Sequence, residues 1–305
     1  MTNPINKDFK IKLIDKIPST KIIHRYKNEC EVDVSRYFDR IEFVEIYECK
    51  ETGYRFYFPF SIIGDSDFYI NLSKGNRNYY HDRWEHKVAI KYAKSGEKWL
   101  EVGSGNSYFL GKLEKVGVSA LGLELNSDEV LRVENEKFKV HNCDFFSFDS
   151  KNEGFDVVAA FQVLEHIKDV SAFFIKANEL LKKNGRLIIA VPNNNPYLYV
   201  FDQYHTLTLP PHHMGLWTGQ SLERVGSNFG FSVKNLQYEP ISQYELNYIL
   251  NLCSLDDFSV NNLKFIFLKG VRKVFPKKIF QLVSSIYRKF IVNGRNIFIV
   301  FEKND

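Results

Sequence analysis

The architecture of this chain is set by the stretch Trp99-Leu100-Glu101-Val102-Gly103-Ser104-Gly105-Asn106-Ser107. Its first four residues are typical of a short buried strand, and a helix-forming run follows the stretch as far as Lys115. The glycines between strand and helix let the backbone approach a ligand closely, and the free N–H groups of the new helix face that ligand. The stretch therefore predicts a strand, a glycine turn and a helix that together hold a small molecule.

Strand-like and helix-like runs alternate along the rest of the chain. The further predicted strands are 119–125, 138–142, 155–161, 187–191, 231–238 and 296–302. A helix over 170–182 is followed by the stop signal Asn184-Gly185, and a second helix covers 218–229. Such alternation predicts a parallel sheet with helices on both faces, which is an α/β fold.

An acidic residue stands at or near the end of each of the first three predicted strands, which are 99–102, 119–125 and 138–142. Glu101 stands at the glycine turn, where its carboxylate would repel a pyrophosphate but attract a cationic aminoacyl group. Glu124 ends the next strand 23 residues later, where a carboxylate can accept both hydroxyls of a ribose. Asp144 follows the third strand and could accept from an adenine amino group while Phe145 packs on the ring. The sheet topology predicts that these carboxylates converge on one ligand.

With these features, residues 97–238 resemble the class I S-adenosylmethionine-dependent methyltransferases. The motifs that carry the resemblance are Glu101-x-Gly103-x-Gly105, Gly122-Leu123-Glu124, Asp144, 155–169 and 185–193. The resemblance implies three layers around a doubly wound seven-stranded sheet whose last strand, 296–302, runs antiparallel between its neighbours. It also implies S-adenosylmethionine as the cofactor. Ser107 stands where the family often has a third glycine, and its small side chain still allows close packing.

The resemblance further implies a set of cofactor-binding residues, namely Glu101, Gly103, Gly105, Asn106, Glu124, Leu125, Asp144, Phe145 and Gln162. Gln162 follows the fourth strand and would lie near the methionine part of the cofactor or near the acceptor, although a helix-capping amide is an equal interpretation. We expect Glu165 and His166, just beyond it, to hold their loop by hydrogen bonds.

The candidate catalytic residues lie after the fifth strand. Methyl transfer requires the acceptor and the methyl group to be aligned in a dry site, and a hydroxyl acceptor also needs a general base. Histidine suits that task near neutral pH. His213, followed by His212, is the predicted base, in the segment 210–218, which is similar to one in family branches that act on small metabolites and saccharides. The alternative is a rigid loop whose imidazoles only bond to the backbone.

The chain divides into a predicted N-terminal element, 1–72, and a methyltransferase domain, 73–305, with a basic helical insertion over 242–295. Cys30 and Cys49 resemble the remnant of a zinc ribbon, but structural zinc takes four Cys or His ligands. We therefore expect no metal and interpret the element as a small β module stabilised by aromatic residues.

Within the insertion, residues 259–295 contain nine Lys or Arg and no Asp or Glu, interleaved with five Phe. This pattern permits basic amphipathic helices that contact an anionic membrane surface weakly or bind a polyanionic substrate. The interpretation we favour at this point is an ordinary helical insertion that packs its Phe side chains onto the core.

Composition narrows the class of protein. The sequence predicts a cytoplasmic protein for three reasons. Its four cysteines are widely spaced, its N-terminus has no long apolar core, and it has no run of about 18 consecutive apolar residues. We expect a small-molecule or glycan-type acceptor and no nucleic-acid partner. Two rival functions stay open, a nicotinamide-dependent oxidoreductase and a catalytically silent methyltransferase-like scaffold. The first requires Gly at position 108, where this chain has Tyr108.

Overall fold

The computed structural model describes residues 2–75, 83–134, 139–150, 154–194, 204–242, 246, 270–291 and 294–304. The strands are β1 (Ile11–Pro18), β2 (Phe43–Cys49), β3 (Arg55–Phe58), β4 (Lys98–Val102), β5 (Ser119–Leu123), β6 (Lys139–His141), β7 (Phe155–Phe161), β8 (Leu181–Pro192), β9 (Gly215–Leu216), β10 (Phe231–Tyr238) and β11 (Asn296–Lys303). The helices are α1 (Ser19–Arg25), α2 (Ser66–Gly75), α3 (Trp84–Ala89), α4 (Tyr108–Lys115), α5 (Ser127–Glu134), α6 (Val170–Leu180), α7 (Gly219–Asn228) and α8 (Lys277–Ile291).

The larger of two sheets has seven strands in the order β10-β11-β8-β7-β4-β5-β6. β11 runs antiparallel to both β8 and β10, and the other pairs are parallel. The strand order reverses at β4, which pairs with β5 on one side and with β7 on the other. Such a reversal opens a crevice at the carboxyl ends of the strands. The predicted doubly wound α/β sheet with an antiparallel last strand is confirmed.

Helices cover both faces of this sheet because successive strand residues point to opposite sides. On one face, Leu100 of β4 belongs to a buried cluster with Phe173 of α6 and Leu222 of α7. On the other face, Trp99 belongs to a second cluster that includes Phe109 of α4. The two clusters make the three-layer arrangement and hold the carboxyl edge of the sheet in place.

The smaller sheet is antiparallel and has the order β1-β2-β3-β9. Its first three strands come from the predicted N-terminal element, but β9 comes from a segment beyond β8. The core beneath this sheet likewise combines Val44 and Ile62 with Leu209 and Met214. The predicted element 1–72 is thus packed together with the segment 204–217.

The two cysteines of the predicted zinc-ribbon remnant are free thiols. Cys49 is buried at the end of β2, and its Sγ donates to Oε2 of Glu51 at 3.6 Å. Aromatic rings pack along the sheet beside it, with Phe56 stacked on Tyr54 and on Phe60.

The boundary between α6 and β8 differs from the prediction. The stop signal at Asn184-Gly185 predicts a helix as far as residue 182, whereas α6 ends at Leu180 and β8 begins at Leu181. The reason is that Leu181 has extended backbone and pairs with Phe155 of β7. Nζ of Lys303 in the last strand donates to the carbonyl oxygens of Asn178 and Leu181 at 2.7 and 3.0 Å. Those carbonyl groups at the helix end are therefore satisfied by a residue far along the chain.

The predicted basic insertion is described in part. Residues 270–274 are helical, and α8 follows after Pro276. Residues 243–245, 247–269 and 292–293 of the insertion lie outside the described residues. Among the helices of the described ranges, none is long and apolar enough to cross a membrane.

Candidate active site

The glycine turn after β4 lies tightly against the end of β5. The backbone N–H groups of Gly103 and Ser104 both donate to the carbonyl oxygen of Leu123, at 2.8 and 3.0 Å. Gly103 has φ +71°, and a Cβ atom there would stand 2.7 Å from Cγ2 of Val163. Gly105 also has a positive φ, of +50°. The turn thus requires glycine both for its backbone shape and for its contact with the loop after β7.

Glu124 closes the glycine turn from the side. Its Oε2 accepts from the backbone N–H of Gly105 at 2.8 Å, and its Oε1 accepts from the N–H of Asn126 at 2.8 Å. A carboxylate has about four acceptor positions, so both oxygens retain capacity for the hydroxyls of a ribose. The carboxylate is held rigidly at the edge where the resemblance places that sugar.

Glu101 is buried beside this carboxylate, with 4% of its surface exposed. Its Oε2 has no hydrogen-bond partner among the described residues. Burial raises the pKa of Glu101 well above its ordinary value, and the charge of Glu124 raises it further. A buried carboxyl with an unpaired oxygen fits the cationic amino group of an aminoacyl ligand, which would pair with its ionised form. This is the feature of the site that best fits S-adenosylmethionine.

The ends of β5 and β6 are joined by Asn142, a residue that the sequence reasoning did not single out. Its Nδ2 donates to the carbonyl oxygens of Glu124 and Leu125, at 2.9 and 3.1 Å. The side chain of Leu125 itself is 70% exposed at this edge. The signal for Asn142 was its place directly before the Cys143-Asp144 pair at a strand end.

Asp144 and its neighbours form the turn after β6. Oδ1 of Asp144 accepts from the N–H of Phe146 at 3.4 Å. Phe145 is 4% exposed and packs inward, with its ring centroid 5.2 Å from that of Phe173. Phe146 is 39% exposed. Of the two rings, Phe146 therefore has the more accessible face beside Asp144, whereas the resemblance implies Phe145.

The loop after β7 connects the glycine turn to the predicted catalytic histidines. Gln162 begins it with φ +56°, its N–H donates to the carbonyl oxygen of Ala190 at 2.7 Å, and its Nε2 donates to Oδ1 of Asn296 at 3.4 Å. Val163 contacts the glycine turn, and the carbonyl of Glu165 accepts from the N–H of Met214 at 2.8 Å. The backbone of this short loop thus places Gln162 between the glycine turn and the predicted catalytic histidines.

Three histidines meet where this loop reaches the segment before β9. His166, His212 and His213, which we call the histidine cluster, bring one ring nitrogen each to within 4.8 Å of one another. Nδ1 of His166 lies 2.6 Å from the carbonyl oxygen of His212, and Nδ1 of His212 lies 2.8 Å from that of Leu207. Because a carbonyl only accepts, both Nδ1 atoms carry a proton, and the lone pair of each neutral ring is on Nε2.

Two members of the histidine cluster are buried, whereas the side chain of His166 is 20% exposed. His212 and His213 are 6% and 5% exposed, and Nδ1 of His213 has no hydrogen-bond partner among the described residues. Burial lowers the pKa of His166 to about 4 and that of His212 to about 3, and it lowers the pKa of His213 well below the ordinary value. Neighbouring imidazoles add to the effect on His212 and His213. All three rings are therefore neutral at physiological pH.

The orientation of the rings favours proton handling over metal binding. The rings of His212 and His213 are stacked, with centroids 4.4 Å apart and planes 23° apart. An imidazole binds a metal along a lone pair in its own plane, and two ligands of one tetrahedral ion at about 2.1 Å stand roughly 3.4 Å apart. Stacked rings direct their lone pairs side by side rather than toward one point. We therefore assign no metal to this cluster.

Of the two residues expected to hold the loop, one does so through its side chain. The ring of His166 bonds to the carbonyl of His212, as described above. The carboxyl group of Glu165 is 1% exposed, and neither oxygen has a hydrogen-bond partner among the described residues. His166 also joins the candidate catalytic residues. The sequence reasoning missed it because its two partners lie 46 and 47 residues further along the chain.

Comparisons with known proteins agree with this geometry. A family model described as a methyltransferase domain matches residues 76–236, just over half of the chain. A S-adenosylmethionine-dependent methyltransferase from Archaeoglobus fulgidus superposes with a TM-score of 0.53 at 18% identity. That superposition covers 78% of this chain and 100% of that one, so it supports the fold.

Curated relatives match a shorter stretch. A ubiquinone biosynthesis O-methyltransferase of Rhodopseudomonas palustris (strain HaA2) is 27% identical over 106 residues, which are 33% of this chain and 42% of the relative. The protein of the same name from Pelagibacter ubique is 29% identical over 112 residues, which are 34% and 45% of the two chains. This chain therefore spans less than half of the length of these relatives. Together with the family model and the fold, they show that the chain belongs to the class I S-adenosylmethionine-dependent methyltransferases.

Proposed function

We propose that this methyltransferase transfers a methyl group from S-adenosylmethionine to a hydroxyl group of a small molecule, a sugar or a glycan intermediate. The observation that carries the proposal is the pair of buried, neutral rings of His212 and His213, which meet the loop after β7. That loop also contacts the glycine turn through Val163. Two relatives named O-methyltransferases, each under 30% identical, support the same acceptor atom.

The cofactor would be held along the carboxyl edge of the sheet. Glu101 would pair with its amino group, Glu124 would accept from the ribose and Asp144 from the adenine, while the N–H groups beyond the glycine turn face the ligand. The bound cofactor supplies a methyl group on a positively charged sulfur. Because that charge disappears in the transition state, the protein contributes chiefly alignment and a dry site.

His213 would remove the proton of the acceptor hydroxyl, with His212 as the second candidate. A general base must be unprotonated at the working pH, and burial keeps both rings in that form. The depressed pKa values also predict that the acid limb of the rate profile lies below the ordinary histidine value of 6.5, so that these rings stay unprotonated through the neutral range.

The test is turnover of acceptors that differ in acidity. With a hydroxyl that is protonated at the assay pH, His213→Ala should lower turnover by roughly a hundredfold. With a phenol that is already ionised at that pH, the defect should shrink, because no proton has to be removed. Affinity for S-adenosylmethionine, measured by calorimetry, should stay unchanged in the same variant.

His24→Ala is the matched control, because His24 is exposed on α1 and belongs to the smaller sheet's side of the molecule. It should have wild-type turnover with both acceptors. Equal turnover of His213→Ala and wild type would remove the base from the mechanism. Transfer to amino or carbon acceptors with no transfer to hydroxyls would refute the proposal as a whole.

A further inference from the structure

The basic insertion belongs topologically to the edge of the sheet that carries the candidate site. β10 ends at Tyr238, β11 begins at Asn296, and these two antiparallel strands meet the carboxyl end of β8 at this edge. The insertion returns beside Asn193, whose Nδ2 donates to the carbonyl oxygen of Gly294 at 3.0 Å. The contact of Gln162 with Asn296 lies at the same edge. The insertion is therefore rooted next to Gln162, at the carboxyl edge of the sheet.

α8 has one side on the protein and one side in solvent. Phe280 and Ser284 are 6% and 0% exposed, whereas Ile279 and Leu282 are 43% and 65% exposed. At about 100° per residue, the mean directions of these two pairs differ by about 150°. The helix is thus anchored by its inner side, and its outer side presents aliphatic residues to water.

The exposed apolar surface continues into the residues before α8. Val274 is 75% exposed and Phe275 is 47% exposed, directly ahead of Pro276. Lys273 and Lys278 are exposed between and beside these side chains. We call the set Val274, Phe275, Ile279, Leu282, Lys273 and Lys278 the docking surface.

The charge of the docking surface has a single sign. Residues 270–291 contain six Lys or Arg and no Asp or Glu. A surface of this kind is complementary to an anionic partner, and its apolar side chains require that partner to accept aliphatic groups as well. Nucleic acids and other soluble polyanions satisfy the first requirement but not the second. An anionic lipid bilayer satisfies both, because apolar side chains enter the headgroup region while lysines remain at its charged surface.

We infer that the docking surface binds the protein to an anionic membrane surface. α8 lies along such a surface and does not cross it, in agreement with the lack of a membrane-spanning helix among the described ranges. The favoured interpretation of the sequence, in which the insertion packs its Phe residues onto the core, holds for Phe280 but not for Phe275. This inference goes beyond the proposed function and does not depend on which atom is methylated.

The test is flotation of the full chain with lipid vesicles. The wild type should float with vesicles that contain phosphatidylglycerol, should stay behind with vesicles of phosphatidylcholine alone, and should detach as salt is raised. The double variant Phe275→Ser with Leu282→Ser should bind at least about tenfold more weakly, since it loses two inserted side chains. The double variant Lys273→Gln with Lys278→Gln should also bind at least about tenfold more weakly.

Matched controls distinguish the docking surface from general effects. Val116→Ser with Ile175→Ser removes two other exposed apolar residues, and Lys91→Gln with Lys115→Gln removes two other exposed lysines. Both controls should bind as the wild type does. Failure of the wild type to float with anionic vesicles would overturn the inference. So would binding that depends on the lysines but not on Phe275 and Leu282, because that result would indicate a soluble polyanion.

Discussion

Glu165 is a buried carboxyl group beside the histidine cluster, with its Oε1 3.8 Å from Nε2 of His166. Burial, with a smaller contribution from the nearby Glu85 and against the opposing charge of Arg83, raises the pKa of Glu165 to about 8. The group is therefore mostly protonated at neutral pH, and its neutral state agrees with the neutral rings next to it. A site that keeps both its acid and its bases uncharged has little cost of desolvation when an acceptor binds.

This raised pKa makes a prediction about stability and pH. The folded state holds the Glu165 proton up to about pH 8, whereas the unfolded chain releases it near 4.5. Stability from this group is therefore complete below about pH 4.5 and is lost as the pH rises through 8. The lowered pKa values of the histidines make stability fall as the pH falls, but only below about 6.5, the pKa of histidine in the unfolded chain. Between pH 6.5 and 8, the free energy of unfolding should fall by roughly 2 kcal/mol through Glu165.

Urea unfolding at pH 6.5 and pH 8 measures this fall. Glu165→Gln should make the fall smaller by roughly the contribution of Glu165, because the amide does not titrate. The buried Glu101, whose pKa is also raised, should keep its own contribution. Glu114→Gln, an exposed position on α4, should retain the wild-type difference between the two pH values. An equal fall in Glu165→Gln and wild type would show that another group is responsible.

At the scale of single residues, the sequence could predict the position of a side chain where the order of neighbouring strands determines it. Glu101 and Glu124 stand at the ends of neighbouring strands, so their proximity follows from the pairing of β4 with β5. The histidine cluster could be predicted only in part, because the bond between Met214 and Glu165 that brings its members together joins distant parts of the chain. The inward packing of Phe145 against Phe173 depends on how α6 lies on the sheet, which no local pattern encodes.

Among the elements, the glycine turn after β4 has little freedom to change. Gly103→Ala would force an L side chain to φ +71° and place its Cβ 2.7 Å from Cγ2 of Val163. The backbone strain costs about 1–2 kcal/mol. The contact with Val163 would also displace the loop that begins at Gln162. We expect Gly103→Ala to lower stability by more than the strain alone and to weaken binding of S-adenosylmethionine at least about tenfold, as measured by calorimetry.

Gly96→Ala is a matched control for that change. Gly96 also has a positive φ, of +83°, but a Cβ there would meet no atom within 4 Å. This variant should lose about 1 kcal/mol of stability and bind the cofactor as the wild type does. If Gly103→Ala bound the cofactor with unchanged affinity, the turn would have no part in the site.

Element boundaries were predicted well where the chain alone determines them. The apolar run of β7 and the antiparallel place of β11 both agree with the prediction. The end of α6 could not be predicted, because it depends on the pairing of Leu181 with Phe155 in the sheet and on Lys303 from the last strand, which binds the final carbonyl groups. A glycine stop signal indicates where a helix has to end at the latest, and a tertiary contact can end it earlier.

For the molecule as a whole, the smaller sheet supports the segment that carries His212 and His213. β3 pairs with β9, and the rings of Tyr54 and Trp217 pack with centroids 4.1 Å apart. The sequence predicts a separate N-terminal element, 1–72, because its strand-like runs 41–47 and 54–60 flank a turn and form a unit of their own. It could not predict that residues 209–217 would complete the core of that element, since this contact spans more than 150 residues.

The hydroxyl of Tyr26 tests this support directly. It is buried and donates to the carbonyl oxygen of Leu209 at 2.8 Å, which also accepts from the N–H groups of His212 and His213. Tyr26→Phe should cost about 1 kcal/mol of stability and speed hydrogen exchange at the amides of residues 212–214, while cofactor affinity stays unchanged. Tyr47→Phe is the control, because the hydroxyl of Tyr47 bonds to Glu45 within β2. If both variants left exchange at these amides as in the wild type, the smaller sheet would merely adjoin the histidine cluster without holding it.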